Sequence, residues 1–320
     1  MFYFKVAAKP ENEKVSDEKT QVENPGEIMW GNVIVLGLLH VVAALGVVQL
    51  PHLAWYSIAY QYGVAVLSGI GVTAGVHRLW CHRSYKATIP LKLFLVMANT
   101  IAGQTSIYNW THIHRTHHKH SDTDADPSNS RRGWFFSHIG CYMVRPHPAV
   151  VEAMKTTKPT ELDEDSIVVF QHKYYIPLFF LFSFLLPSLV PYLVWNEPLI
   201  SAFLASNLRY VCSLHFTWTV NSFAHWRGMK PYDKTICPSE NMLVTFLALG
   251  EGFHNYHHTW PYDYRASEWG GSYSLTTTLI NIMAALGLAY DLRTASKQTV
   301  TEKSTMHGDF SLTAAFKYKD

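Results

Sequence analysis

The chain has 320 residues, of which 48% are hydrophobic, 14% aromatic and only 16% charged. This composition favours a membrane protein, and the net charge of +2 is too small to indicate a nucleic-acid-binding protein. The four cysteines show no paired spacing, so neither a disulfide framework nor a cysteine-based zinc site is expected.

Both ends of the chain are polar. Residues 1–27 lack the apolar stretch of a signal peptide and are predicted to be a mobile cytoplasmic tail. Residues 294–320 are predicted to be a second polar tail. A single membrane domain, residues 28–293, is expected between them.

The apolar segments predict four membrane-spanning helices. Residues 28–76 contain no Asp, Glu, Lys or Arg, and this length is enough for two crossings of about 20 residues each. A soluble helix rarely stays uncharged on all its faces for so long. The predicted spans are residues 31–50, 53–76, 174–195 and 198–220.

Positive charges predict the orientation of these spans. The loops within the two pairs of spans contain no Lys or Arg, whereas residues 77–173 contain many. By the positive-inside rule, this middle segment and both termini face the cytoplasm. The apolar segment Leu91–Gly103 is too short to cross and is expected to lie in the interface. The predicted fold is therefore an all-α integral membrane protein with a cytoplasmic helical cap.

Histidines are concentrated in three short segments of that cap. Eight imidazoles there exceed what a packed interior needs, because each buried ring has two nitrogens that require a partner. Residues three and four apart share a helix face, so most of these rings should converge on one metal site. They are His77 and His82, then His114, His117 and His118, and finally His254, His257 and His258.

The number of rings indicates two metal ions, since one zinc ion takes at most four protein ligands. His225, four residues after Asn221, is a further candidate ligand, and Asn221 could hold a metal-bound water. The alternative for this pair is that it only marks the end of a helix at the membrane interface. A dimetal site reached by an apolar channel favours iron and oxygen chemistry on a lipid chain.

These segments resemble the membrane acyl-CoA fatty-acid desaturases of the stearoyl-CoA desaturase type, over residues 30–291. The resemblance favours the insect, moth-like branch. It implies an endoplasmic reticulum membrane enzyme with two iron ions. Such an enzyme uses dioxygen to insert a double bond at delta-9 or delta-11 of a long-chain acyl-CoA. Its electrons come from cytochrome b5 and its NADH-dependent reductase. The product could serve membrane lipid or pheromone biosynthesis. The matching motifs are His77–Lys86, Asp126–Gly133, Pro231–Lys234 and Gly250–His258.

The resemblance also implies a role for each ligand. One iron would be bound by five side chains, namely His77, His82, His114, His118 and His257. The other would be bound by His117, His225, His254 and His258, with a water held by Asn221.

For the substrate, the resemblance implies that Asn32 and Arg145 contact the coenzyme A moiety and that Trp218 lines the acyl channel. The chain departs from the family just before His114, where His112-Ile113 replaces the usual Arg-Asp. The arginine fork suited to phosphate is therefore missing, and His112 is expected to contact the carrier instead.

Small side chains before the first histidine segment could shape the channel. Ala65 and Gly69 lie twelve and eight residues before His77, on approximately its face of the helix. They would leave room for a long acyl chain. The alternative is a seam of small residues for close helix packing.

Two other functions compete with desaturation. A related diiron hydroxylase, conjugase or acetylenase would use the same kind of site on acyl chains. A histidine-rich membrane metal carrier belongs to a different class, and it predicts ligands inside the spans along a conduction path.

Overall fold

The computed structural model describes residues 26–311, and within them the fold is mostly helical. The tail predicted for residues 1–27 lies almost wholly outside the described residues. The helices are α1 (Trp30–Gln49), α2 (Trp55–Ile70), α3 (Ile89–Ala102), α4 (Ile107–His120), α5 (Trp134–His138), α6 (Pro148–Lys155), α7 (Ser166–Lys173), α8 (Tyr175–Phe180), α9 (Leu186–Trp195), α10 (Leu199–Trp226), α11 (Met242–Leu247), α12 (His254–Thr259), α13 (Leu275–Ala285) and α14 (Lys297–His307).

Other regular elements are short. Two π-helical segments continue or join α-helices, Gly71–Cys81 after α2 and Leu181–Leu185 between α8 and α9. Strands β1 (Lys86–Ala87) and β2 (Ala289–Tyr290) pair antiparallel, with Lys86 opposite Tyr290. Single 3-10 turns lie at Leu50–His52, Ser130–Arg132, Gly140–Tyr142, Thr160–Glu164 and Gly270–Tyr273.

Three helical stretches among the described residues are long and apolar enough to cross a membrane, and they correspond to the first three predicted spans. They are Trp30–His52, Trp55–Cys81 and Tyr175–Trp195. The predicted fourth span lies inside α10, which has 28 residues but is less apolar. The crossing of a membrane by α10 therefore stays a prediction.

The polar side chains of α10 are buried against the backbone of neighbouring helices. Asn207 donates a hydrogen bond to the carbonyl of Leu39 on α1 at 2.9 Å. Arg209, 5% exposed, donates to the carbonyls of Ile101 and Ser183. These carbonyls lie near the end of α3 and in a π-helical segment, where regular α-helical bonding is interrupted. The polar groups of α10 thus bind helices together.

A chain of three histidines also joins α10 to its neighbours. The Nε2 atom of His215 lies 2.9 Å from Nε2 of His40 on α1. Its Nδ1 atom lies 2.9 Å from Nε2 of His138 on α5. Because His215 uses opposite nitrogens for the two contacts, the rings form a line and do not converge on a point.

The short helix α3 corresponds to the segment predicted to lie in the interface. It has 14 residues and packs along the π-helical segment after α2. Gly71 permits this approach, because a Cβ atom there would lie 2.1 Å from the backbone nitrogen of Asn99.

The expectation of a tail over residues 294–320 is wrong for its described part. Helix α14 packs on the cap, and Val300 is only 5% exposed, in a cluster with Tyr232 and Trp260. Lys303 forms an ion pair with Asp233 at 2.7 Å. The sequence did not indicate this packing because a single buried valine gives α14 no apolar periodicity.

Candidate metal centre

A π-helix brings together the two histidines of the first segment. Residues five apart are separated by about 140° on an α-helix but nearly share a face on a π-helix. The backbone N–H of His82 donates to the carbonyl of His77 at 3.0 Å, and the two ring centroids are 4.8 Å apart. The π-helical geometry therefore directs both rings toward the same point.

The other rings come from three helices. Helix α4 carries His114, His117 and His118, and the Ser106 hydroxyl caps its first turn by accepting from the backbone N–H of Asn109. His225 lies in the last turn of α10. The short helix α12 carries the remaining rings, His254, His257 and His258.

The imidazoles gather into two groups, and within each the candidate ligand atoms all lie within 4.8 Å of one another. We call these sets the five-histidine group and the four-histidine group. The groups touch where the rings of His118 and His258 stack, with centroids 4.1 Å apart. The five-histidine group is His77, His82, His114, His118 and His257. The four-histidine group is His117, His225, His254 and His258.

These are the two sets that the resemblance implied for two iron ions. The structure brings the rings together, and their role as iron ligands stays a prediction. Asn221 lines the cavity beside His254, and its role in holding a water also stays a prediction.

The spacing of nitrogens in the five-histidine group fits a metal ion. The Nε2 atom of His257 lies 2.9 Å from that of His77 and 3.0 Å from that of His118. The Nε2 atom of His118 lies 3.0 Å from that of His114. One N–H cannot serve two such contacts, whereas neighbouring ligands on an ion with metal–nitrogen bonds of about 2.1 Å are about 3 Å apart.

Three rings are oriented by buried carboxylates through their Nδ1 atoms. A carboxylate that accepts the Nδ1 proton leaves the Nε2 lone pair free for a metal. In keeping with this, the Nε2 atom of His117 is buried without a hydrogen-bond partner among the described residues. The pairs are His77 with Glu251 at 3.0 Å, His117 with Asp126 at 2.9 Å and His225 with Asp122 at 3.1 Å.

The surroundings favour the neutral form of most of these imidazoles and the ionised form of Glu251. His117 is the exception, because burial lowers its pKa but Asp126 outweighs burial, and the net pKa of His117 is raised. Burial and then the neighbouring rings hold the pKa of His114, His118 and His257 well below the usual value. Burial raises the pKa of Glu251, but Arg78 and His77 outweigh it, and the net pKa is lowered. Neutral imidazole is the form that binds metals.

Sequence reasoning missed the carboxylate partners. Asp126 and Glu251 belong to the matching motifs, but their pairing with His117 and His77 follows no local spacing. The only signal was that a metal-bound histidine usually donates its second N–H to a carboxylate or carbonyl.

A cavity of about 400 Å³ opens at the histidines, within the range of small-molecule sites. It is lined by His77, His114, His117 and His254 at one end and by residues of α2, α10 and α11 along its walls. Three predicted substrate residues line it, namely Ala65, Gly69 and Trp218.

Gly69 lies both at the cavity wall and close to a neighbouring side chain, and its two predicted roles stay predictions. It lines the cavity, and a Cβ atom there would lie 2.7 Å from Cδ1 of Leu249. The small residue thus leaves space and also permits close packing.

The other predicted substrate residues do not line this cavity. Asn32 donates from Nδ2 to the carbonyl of Tyr142 at 2.8 Å. The half-exposed Arg145 pairs with Glu27 at 2.8 Å. Their contact with coenzyme A stays a prediction.

His112 and Ile113, the two residues that depart from the family pattern, have different surroundings. Ile113 lines the cavity. One ring nitrogen of His112, Nε2, lies 2.7 Å from the carbonyl of Met154. This bond engages one side of the His112 ring within the cap, and contact of His112 with the carrier stays a prediction.

Comparison with known proteins agrees with the site. The Fatty acid desaturase family matches residues 53–266. The stearoyl-CoA desaturase of Sus scrofa is 50% identical over 286 residues, which are 89% of this chain and 80% of that protein. The human stearoyl-CoA desaturase is 49% identical over 284 residues, covering 88% and 79%. Stearoyl-CoA desaturase 5 of Bos taurus is 49% identical over 296 residues, covering 90% and 88%. The predicted resemblance is confirmed, and the chain belongs to the fatty acid desaturase family.

Proposed function

We propose that this protein is an acyl-CoA desaturase, an oxidoreductase that inserts a double bond into a long-chain fatty acyl-CoA. The observation that carries the proposal is that two converging histidine groups open onto a mostly apolar cavity. Relatives about half identical to this chain are named stearoyl-CoA or acyl-CoA desaturases, which supports the same substrate class.

The reaction explains why such a site is needed. No carbonyl activates a methylene in the middle of an acyl chain, so a side-chain base cannot remove its hydrogen. When bound by the two histidine groups, a pair of iron ions would supply, with dioxygen, the oxidising power for this step. The substrate gives up two hydrogens, and two further electrons and protons complete the reduction of dioxygen to two waters.

The chain's own residues position the substrate and exclude water. The cavity walls are apolar beside Ala65, Gly69 and Trp218, so an acyl chain can displace water there. Gln104 and Thr217 both line the cavity and are joined by a hydrogen bond of 2.7 Å, which ties the end of α3 to α10. The methylene that reaches the histidines is then set by how the chain fits these walls.

The membrane arrangement belongs to the same proposal. Helix α10 is the fourth span, and the histidine-bearing cap and both termini face the cytoplasm of the endoplasmic reticulum. The excess of Lys and Arg in residues 77–173 supports this orientation. Electrons come from cytochrome b5 and its NADH-dependent reductase, and the family resemblance supports that partner.

The position of the double bond is proposed to be delta-9 or delta-11, in an enzyme of the insect, moth-like branch. The resemblance of the four motifs supports this assignment. The products enter either membrane lipids or pheromone biosynthesis. The position of the double bond would distinguish a specialised pheromone precursor from a common membrane fatty acid.

Expression in a desaturase-deficient yeast tests the proposal. Mass spectrometry after derivatisation of double bonds should find new unsaturated acyl chains, and His117→Ala should abolish them. Hydroxylated products would favour the hydroxylase alternative. Reversible metal binding without oxygen consumption would favour the metal carrier.

A further inference from the structure

The two histidine groups differ in how many of their rings a carboxylate orients. Among the described residues, two rings of the four-histidine group have such a partner, His117 with Asp126 and His225 with Asp122. The five-histidine group has one, His77 with Glu251. The groups are therefore unequal in their surroundings as well as in their size.

Both carboxylates of the four-histidine group belong to one loop, and each accepts hydrogen bonds from other residues of that loop. The N–H of Asp122 donates to Oδ2 of Asp126 at 2.8 Å, and Oδ1 of Asp126 accepts from the N–H of Ser128 at 2.9 Å. The hydroxyl of Ser130 donates to Oδ1 of Asp122 at 2.5 Å. The loop of residues 121–130 thus fixes both carboxylates in place.

The backbone of this loop is also held in an uncommon conformation. Asp122 has φ of +59°, a left-handed value that is uncommon for residues other than glycine, although Asp and Asn adopt it more often than most. Its side chain is 3% exposed. A buried residue keeps such a conformation only where its surroundings determine it, and here the bonds to Asp126 and His225 do so.

The reach of the loop is limited to one group. Within the described part of the chain, its side-chain bonds to histidine rings end on His117 and His225. The five-histidine group is oriented from elsewhere, by Glu251 together with Arg78, whose Nη2 atom lies 2.8 Å from that carboxylate.

We propose that the loop of residues 121–130 positions ligands for only one of two metal ions, so that the two ions are bound with unequal strengths. Asp122 and Asp126 act as positioning residues, because each accepts an Nδ1 proton and makes the opposite nitrogen a better donor to metal. The inference rests on the two-metal site of the proposed function. It does not depend on which reaction the site catalyses.

Metal titration of the full-length protein in detergent tests this. Metal-free protein is titrated with cobalt(II), followed by visible absorption and by metal analysis. Asp126→Asn and Asp122→Asn are compared with Asp124→Asn, a matched control because Asp124 lies in the same loop with an exposed side chain. Asn keeps the size and one acceptor oxygen of Asp.

The wild-type protein and Asp124→Asn should bind two equivalents. Asp126→Asn and Asp122→Asn should weaken one equivalent by about 10- to 100-fold, the usual effect of removing a partner of a ligand. The other equivalent should keep its affinity and its absorption spectrum.

Variants that disable one group identify the affected equivalent. In a background that carries both His77→Ala and His82→Ala, the five-histidine group keeps three rings. The tighter remaining site is then the four-histidine group, and Asp126→Asn should weaken it by the same factor. In a His258→Ala background the remaining site is the five-histidine group, and Asp126→Asn should leave it intact.

Parallel weakening of both equivalents, or no difference between Asp126→Asn and Asp124→Asn, would overturn the proposal. If Asp126→Asn does not fold, as judged by melting of the metal-free protein, Ser128→Ala replaces it. That variant removes a hydroxyl 3.2 Å from Asp126 and 3.3 Å from His117, and it should weaken the same equivalent by a smaller factor. Desaturase activity is not measured, so failure here and failure of the proposed reaction are separate outcomes.

Discussion

The two ends of the cavity are held by different forces. At the histidine end, rings are fixed by hydrogen bonds to buried carboxylates such as Asp122 and Asp126. Away from the histidines, the walls include small side chains such as Ala65 and Gly69, which act on a substrate through their shape. Specific hydrogen bonds therefore determine the geometry of the metal site. The volume of the cavity determines which part of the substrate reaches that site. Changes at the two ends should therefore have different consequences.

The largest effect is expected at the histidine end. His118→Ala should abolish unsaturated products, because its Nε2 atom lies 3.0 Å from those of both His114 and His257. Product analysis in yeast and metal content of the purified protein measure this. His120→Ala is the control, since His120 lies on the same helix but in neither group, and it should retain both. Equal loss in the two variants would contradict the assignment.

Breaking a buried ion pair at the same end should cost stability. Glu251→Gln removes the charge that pairs with Arg78, a side chain only 1% exposed, and loosens His77. We expect a loss of about 3–5 kcal/mol in the free energy of unfolding, since the other buried charge stays unpaired. Melting in detergent measures it. Glu161→Gln, which breaks a more exposed pair with Arg115, should cost less than about 1 kcal/mol; a similar loss in both would show that burial does not matter here.

Changing the far end should alter the product and leave the chemistry intact. Gly69→Leu adds a side chain where even a Cβ atom meets Leu249 at 2.7 Å. The longest acyl chains should be disfavoured by about tenfold or more relative to shorter ones, as measured by chain length and double-bond position of the products. Gly63→Leu is the control on the same helix, because a Cβ atom there meets nothing within 4 Å. Unchanged products from Gly69→Leu would contradict the proposal that this wall selects the length of the acyl chain.

The smallest effect on stability and products is expected for a change that lies away from both ends of the cavity. Asp165 pairs with Lys92 at 2.9 Å and also caps α7. Asp165→Asn keeps the cap and loses the charge, so it should cost less than about 1 kcal/mol and leave the products unchanged. Altered products would show that the ends of the cavity are not independent of the rest of the fold.

The same pair has a defined pH dependence. Burial raises the pKa of Asp165, but Lys92 and Trp80 outweigh it, so the folded-state pKa lies below the unfolded value. The ion pair therefore stabilises the protein fully at pH values above the pKa of Asp165 in the unfolded chain. This stabilisation is lost as the pH falls through the pKa of Asp165 in the folded protein. The difference in melting temperature between wild type and Asp165→Asn should stay constant down to the unfolded pKa of about 3.9 and shrink as the pH is lowered below it. A difference that grows on acidification would contradict this.

Much of the fold and the site could be predicted from local pattern. Uncharged stretches predicted the three helices that are long and apolar enough to cross a membrane. The spacing of histidines on α4 and α12 predicted rings on a shared face. Both features depend on residues within a few turns of each other, where hydropathy and helical period are reliable.

Other features followed no local pattern. The π-helix that unites His77 and His82 depends on how Gly71–Cys81 packs against α3. Helix α14 replaces part of the predicted tail, and no local pattern predicted it, because Val300 is its one buried residue and its polar contacts, such as Lys303 with Asp233, join segments far apart in the chain.

By itself, the sequence determined the family, the helical class and which imidazoles are available, because these are properties of residue type and short-range spacing. Only the tertiary structure decided how the rings divide between the two groups and which carboxylates orient them. It also decided that Asn32 and Arg145 lie away from the cavity walls. The physical reason is that these contacts join segments far apart in the chain, and their distances exist only after the helices have packed.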